Sequence, residues 1–325
     1  MEKLSVRYLG FELKSPLIVS SSRLTSKIEQ LKEAEEYGAG AVVLKSLFEE
    51  QINHHISSIP DLAGYPEAAD YISSYTRAHT VDEYLGLITS AKKELTIPVI
   101  ASINCYSSGA WTDFARTIES AGADALEINV FFLPHDRKQN SADAEKIYLY
   151  LMEKLTRTLK IPVSVKLGFR FTNILNMIDN LYVRGAKGVV LFNRFYEPDI
   201  NIYEMNLVPA AIFSNELEMR YVLRWVAMAS SQDIRVDIAA STGAASGDDA
   251  VKYILAGANA VQVCSVLYEK GLRHIKTMNK SIETWMDSKG FGTISEFRGK
   301  LNYRNTDKPA IWERTQFMKY FSSED

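Results

Sequence analysis

Two cysteines, Cys105 and Cys264, stand in a chain of 325 residues, which excludes a disulfide framework and fits a reducing compartment. No apolar run approaches the roughly 20 residues needed to span a bilayer. The start, MEKLSVRYLG, lacks the basic stretch and apolar run of a secretion signal, so the expectation is a soluble, cytoplasmic chain without a membrane partner. Neither sign of charge dominates: 37 Lys and Arg against 40 Asp and Glu leave a formal charge of -3 at a pI near 6.0. That balance gives no reason to expect nucleic acid as a partner. No His or carboxylate cluster has metal-ligand spacing, so no metal is expected. What remains is an ordinary globular composition, 46% hydrophobic and 24% charged, long enough for a sizeable core and suited to a small-molecule substrate.

Four near-copies of one phrase give the architecture: GAGAVVLK from residue 38, GADALEIN from 122, GAKGVVLF from 185 and GANAVQVC from 257. Each follows an amphipathic charged stretch such as SKIEQLKEAEEY, so the glycine reads as a helix stop before a buried strand. Four further apolar runs, SPLIVS, IPVIAS, IPVSVK and IRVDIA, lie between them. From Pro16, Pro98, Pro162 and Arg235 the next repeat strand begins 25, 27, 26 and 25 residues on, at Ala41, Ala125, Gly188 and Ala260. The alternate steps are longer, 57, 37 and 47 residues, each holding a helix plus an enlarged loop. Eight apolar strands alternating with helices predict a (β/α)8 barrel over residues 1–300, with enlarged loops after strands 2, 4 and 6. An open doubly wound sheet is the rival, and the first strand lacks the GxGxxG that would favour it. Residues 301–325 form a C-terminal extension expected to pack on the barrel or on a partner subunit.

In such barrels reactive groups sit where strands end and loops begin. Those ends read Ser20 and Ser21; Lys45 and Ser46; Asn104; Asn129; Lys166; Asn193; Ser241, Thr242 and Gly243; Cys264 and Ser265. Two lysines, three asparagines and small residues at strands 7 and 8 suit an electron-rich ligand with a phosphate, held by free backbone N–H groups and helix dipoles. Glu127 shares a strand face with Asn129 and is expected to partner Lys166.

With these ends laid out, the chain resembles the dihydroorotate dehydrogenase family of FMN flavoproteins over roughly residues 5–300. LGFELKSPLIVSSS, GAGAVVLKS, GADALEIN, IPVSVKL and GFGTISEFRGKL carry the likeness, and VIASINCYS and VQVCSVL resemble the FMN barrel of dihydropyrimidine dehydrogenase. The resemblance implies that Ser20, Ser21, Lys45, Ser46, Asn104, Asn129 and Lys166 line FMN, while Thr242, Gly243, Cys264 and Ser265 hold its phosphate. Lys45, Asn129 and Asn193 would then face the substrate. It also implies pyrimidine metabolism, a homodimer, and hydride transfer at the flavin. The electron acceptor stays open among a soluble acceptor, a nicotinamide and an iron–sulfur subunit.

The chain departs from that family at its reactive edge. Where members carry Asn-Leu-Ser-Cys-Pro-Asn, this sequence reads NVFFLP, placing Phe132 at the position of the proton-abstracting Cys or Ser. General acid–base catalysis is typically worth about 10²–10⁴-fold, so a replacement is expected from His135, from Cys105 or from a residue of the 46–80 loop. The family's substrate loop after strand 2 is not recognisable in SSIPDLAGYPEAADYI, and PAAIFSNELEM replaces the glycine-containing stretch before helix 6. Two other readings compete: a Schiff-base aldolase using Lys166 or Lys45, and a non-catalytic flavin-binding relic.

Overall fold

The computed structural model describes residues 3–52, 81–107, 111–130, 133–195 and 197–314, the side chains of Trp111 and Asp113 excepted. Eight parallel strands form the barrel: β3 (Leu17–Val19), β4 (Ala41–Val43), β6 (Val99–Cys105), β7 (Ala125–Val130), β8 (Val163–Leu167), β9 (Gly188–Leu191), β12 (Asp237–Ser241) and β13 (Ala260–Val263). Their order closes on itself. Val42 pairs with Val99 and Val43 with Ile100, so β4 is joined to β6 as well as to β3. That closure rules out the open doubly wound sheet. A two-residue strand, β5 (Leu47–Phe48), adds a pairing to the upper end of β6.

The glycine stops behave as their phrase predicts. Gly38, Gly122, Gly185 and Gly257 all have positive φ, between 90° and 115°, the left-handed turn that a side chain resists and that ends a helix. Each is followed by a strand buried along its length, Asn129 in β7 alone excepted, because helices cover the outside of the sheet while side chains fill the inside.

Three features lie outside the repeat. An N-terminal hairpin, β1 (Val6–Tyr8) and β2 (Phe11–Leu13), closes the floor of the barrel. The long step after β9 holds a second hairpin, β10 (Pro198–Asn201) and β11 (Asn206–Pro209), that the sequence reading had as loop. The C-terminal segment packs back on the barrel: the Leu301 N–H donates to the Leu255 carbonyl at 2.9 Å, the Tyr303 N–H donates to that of Ala227 at 3.1 Å, and Trp312 rests against the core. Residues 315–325 and most of the loop after β4, 53–80, lie outside the described residues. No helix among the described residues is long and apolar enough to cross a membrane.

Candidate active site

A cavity of about 310 Å³ opens at the C-terminal ends of the strands, within the usual ligand-pocket range of about 300–1,000 Å³. Ser20, Ser21, Lys166, Asn193, Thr242, Gly243, Cys264 and Ser265 all line it. Parallel β-ladders bring them together, since each strand delivers its last inward residues to the same rim. Lys45, Ser46, Asn104 and Asn129 stand on the adjoining strand ends and do not line the cavity itself. Two of these four reach it through a bond. Ser46 Oγ lies 3.0 Å from Ser21 Oγ and 2.8 Å from Ser102 Oγ, and Asn129 Oδ1 accepts the Asn193 amide at 2.9 Å.

The floor of the cavity is a buried polar set. Lys166 Nζ donates to Ser20 Oγ and to Gln262 Oε1, both at 2.9 Å, and Gln262 Nε2 donates to Glu127 Oε2 at 2.5 Å. Glu127 Oε1 stands 3.9 Å from the ammonium. The pairing expected between Glu127 and Lys166 is therefore mediated chiefly by Gln262, a residue that the sequence reading passed over. Its signal was available: a lone amide among apolar residues in VQVC, two positions from Cys264, on the inward face. Burial drives the Glu127 carboxyl above its ordinary range, against the opposing pull of Lys166 and the Gln262 amide.

The other wall is built from two loops tied together. Ser214 Oγ donates to Ser265 Oγ at 3.0 Å and accepts the Gly243 N–H at 3.3 Å. Thr242 and Gly243 turn with φ of 84° and 79°, and a Cβ at Gly243 would come within 2.7 Å of the Met219 nitrogen. The helix that follows, Gly247–Ala256, is capped at its start: Ser246 and Asp249 bond reciprocally, and Asp249 also takes the Ala245 N–H.

Arg194, Ser214 and Glu49 escaped the sequence reading. Arg194 donates to Glu218 at 2.9 Å and to the carbonyls of Ala211 and Ile212 at 2.7 and 2.8 Å, fixing the segment that roofs the cavity. Glu49 accepts the N–H groups of Tyr106 and Ser107. Neither candidate base is placed for the task. Cys105 is fully buried, and burial first, then Glu49, pushes its thiol well up; a thiol held neutral in the core cannot take a proton at the mouth. His135 sits on an exposed loop with Nδ1 3.3 Å from the Leu133 carbonyl and does not line the cavity. Phe131 and Phe132 lie outside the described residues. Lys45 is half-buried, and that burial, reinforced by Arg23, lowers its amine.

A closed barrel with this mouth defines a small-molecule enzyme of the (β/α)8 class. A family model described as dihydroorotate dehydrogenase matches residues 3–286, and the chain belongs to that family. It is 27% identical over 315 residues to the dihydroorotate dehydrogenase B (NAD(+)) catalytic subunit of Thermoplasma volcanium, covering 92% of this chain and 98% of that protein. With the protein of the same description from Methanosarcina acetivorans it shares 30% identity over 304 residues, 89% and 93% of the two chains. With the chloroplastic dihydropyrimidine dehydrogenase (NADP(+)) of Arabidopsis thaliana it shares 25% over 356 residues, 99% and 82%.

Proposed function

We propose that this chain is an FMN-dependent oxidoreductase that moves a hydride to or from a CH–CH bond of a small flat ring of the dihydroorotate or dihydropyrimidine kind. The observation that carries the proposal is the buried Lys166 ammonium, hydrogen-bonded to Ser20 and Gln262 at the floor of a cavity whose far end is lined by the small residues Thr242, Gly243, Ala244 and Ser265. The residues fit the cofactor: the Thr242–Gly243 turn and the small residues after β12 and β13 suit a phosphate, and a buried cation suits a group that becomes negative on reduction.

Bound FMN would supply the two-electron acceptor. Lys166 would stabilise the negative charge, Ser20, Ser21, Lys45, Ser46, Asn104 and Asn129 would line the ring, and Thr242, Gly243, Cys264 and Ser265 would surround the phosphate. The amide pair orients the substrate. Because Asn193 Nδ2 donates one of its N–H groups to Asn129 Oδ1, the Asn193 Oδ1 acceptor and the Asn129 Nδ2 donor group face a ring that offers N–H beside carbonyl. Among the described residues lining the cavity, Glu197 is the one carboxylate, and in this proposal it takes the proton that Cys105 and His135 are badly placed to accept. The Lys166 contacts weigh against a Schiff-base lysine, whose amine must reach a carbonyl carbon rather than donate into buried acceptors.

A visible spectrum of the purified protein tests the reading, followed by anaerobic bleaching with dihydroorotate and dihydrouracil. A yellow protein bleached by one of them is the expected result. A colourless protein that takes up no added FMN would remove the proposal, and a yellow one reduced by no donor would leave a flavin-binding relic.

A further inference from the structure

Three buried polar atoms along the barrel have no hydrogen-bond partner: the Tyr8 hydroxyl, Ser164 Oγ and Glu127 Oε1. A barrel interior is normally filled by apolar layers, and buried polar groups in native proteins are paired with protein or with ordered water. These three are neighbours. Glu127 on β7 is the ladder partner of Ser164 on β8, Ser164 of Gly188 on β9, and Gly188 of Asp237 on β12. Gly188 makes the room, since a Cβ there would lie 3.4 Å from both the Tyr8 hydroxyl and Ser164 Cβ and 2.6 Å from Leu9 Cδ2.

Both ends of this column lead somewhere. Upward, Gln262 joins Glu127 to Lys166 and so to the mouth. Downward, Asp237 accepts the Leu9 N–H at 2.7 Å and lines an open groove in the barrel floor together with Arg7, Lys160, Lys187 and Arg235. Buried polar groups left without a protein partner are commonly bridged by ordered water.

We propose that Tyr8, Ser164 and Glu127, bridged by buried water, form a proton conduit along the barrel axis from solvent at the floor to Lys166 beneath the mouth, and that Glu127 takes up one proton when negative charge settles above Lys166. This rests on the flavin reading of the mouth. A hydride delivered there carries two electrons and one proton, a net charge of minus one. One proton from solvent, bound to Glu127, restores the balance and returns by the same route when the hydride leaves. The groups facing Glu127 are Lys166 from β8, the neutral Gln262 from β13, Tyr8 from the floor hairpin and Tyr84 from the helix Val81–Glu94; Asp237 acts in turn on Tyr8. Burial holds Glu127 above its ordinary range, where proton uptake is within reach. Burial, then Glu127 and Asp237, raise the Tyr8 hydroxyl against the pull of the neighbouring Ser164 hydroxyl, so Tyr8 relays as a neutral group, both donor and acceptor.

Two measurements decide it. In the flavin-loaded protein near neutral pH, reduction should raise a carboxylic-acid carbonyl band in the infrared that Glu127→Gln abolishes. The midpoint potential should fall by about 59 mV per pH unit in the wild type and about 30 mV in Glu127→Gln, each proton per two electrons contributing about 29.6 mV. In flavin-free protein held at a pH low enough to protonate Glu127, deuterium exchange of its acid proton should slow about tenfold in Tyr8→Phe, with Ser164→Ala as the second, smaller perturbation. Equal potential slopes in the wild type and Glu127→Gln would overturn the proton uptake, and unchanged exchange in both conduit variants would overturn the route. The exchange arm needs no flavin, so a failure of the conduit is separable from a failure of the cofactor reading.

Discussion

Lys166 is the residue on which the site turns, because its ammonium is buried and its nearest carboxylate belongs to a second strand. Removing one partner of a buried charged pair leaves the other uncompensated, at a cost of about 3–5 kcal/mol. Lys166→Met should therefore lower the urea midpoint by a corresponding amount and, in fluorescence titration, abolish tight FMN binding. Glu127 has the opposite tendency. Its folded-state pKa lies above the ordinary 4.5, so the stability contributed by its protonated form is complete below the unfolded value and is lost as pH rises through the folded one. In Glu127→Gln that loss disappears. Urea midpoints measured across pH should show the variant gaining on the wild type as pH rises through that window.

At the scale of elements, the two loops after β12 and β13 separate backbone geometry from helix capping. Gly243 occupies the left-handed region and lies against Met219, so Gly243→Ala meets both strain, about 1–3 kcal/mol, and a backbone contact at 2.7 Å. It should lower Tm and weaken FMN more than riboflavin, which has no phosphate. Ser246 caps the next helix and does not line the cavity. Ser246→Ala should cost about 0.5–2 kcal/mol of stability while leaving the ratio of FMN to riboflavin affinity unchanged. Equal losses of that ratio in both variants would contradict the cradle as drawn.

For the molecule as a whole, the hairpin of β10 and β11 stands out from the barrel. Tyr203 is 92% exposed, Met205 88%, Leu207 74% and Ile202 71%. A two-stranded hairpin alone is marginally stable in water, and large apolar side chains grouped on one hairpin are a place where a partner would be expected. The homodimer expected for the chain would cover it. Light scattering should report a dimer, and the double substitution Tyr203→Ser with Met205→Ser should shift it towards monomer without altering the spectrum of bound flavin. A monomeric wild type would remove this assignment.

The sequence by itself determined the barrel and most of its rim. Phrases such as GAGAVVLK combine a helix stop with a buried strand, and counting them sets the eight strand ends at Ser20, Lys45, Asn104, Asn129, Lys166, Asn193, Ser241 and Cys264. Those signals are local, set by backbone conformation and by which side chains water excludes. Tertiary structure alone decided what lies between strands. That Gln262 relays Glu127 to Lys166, that Arg194 holds the roof, and that Cys105 is sealed in the core all depend on contacts between residues far apart in the chain. Closure of the barrel brings such residues within hydrogen-bond reach, and no periodicity along one strand encodes which of its neighbours will be there.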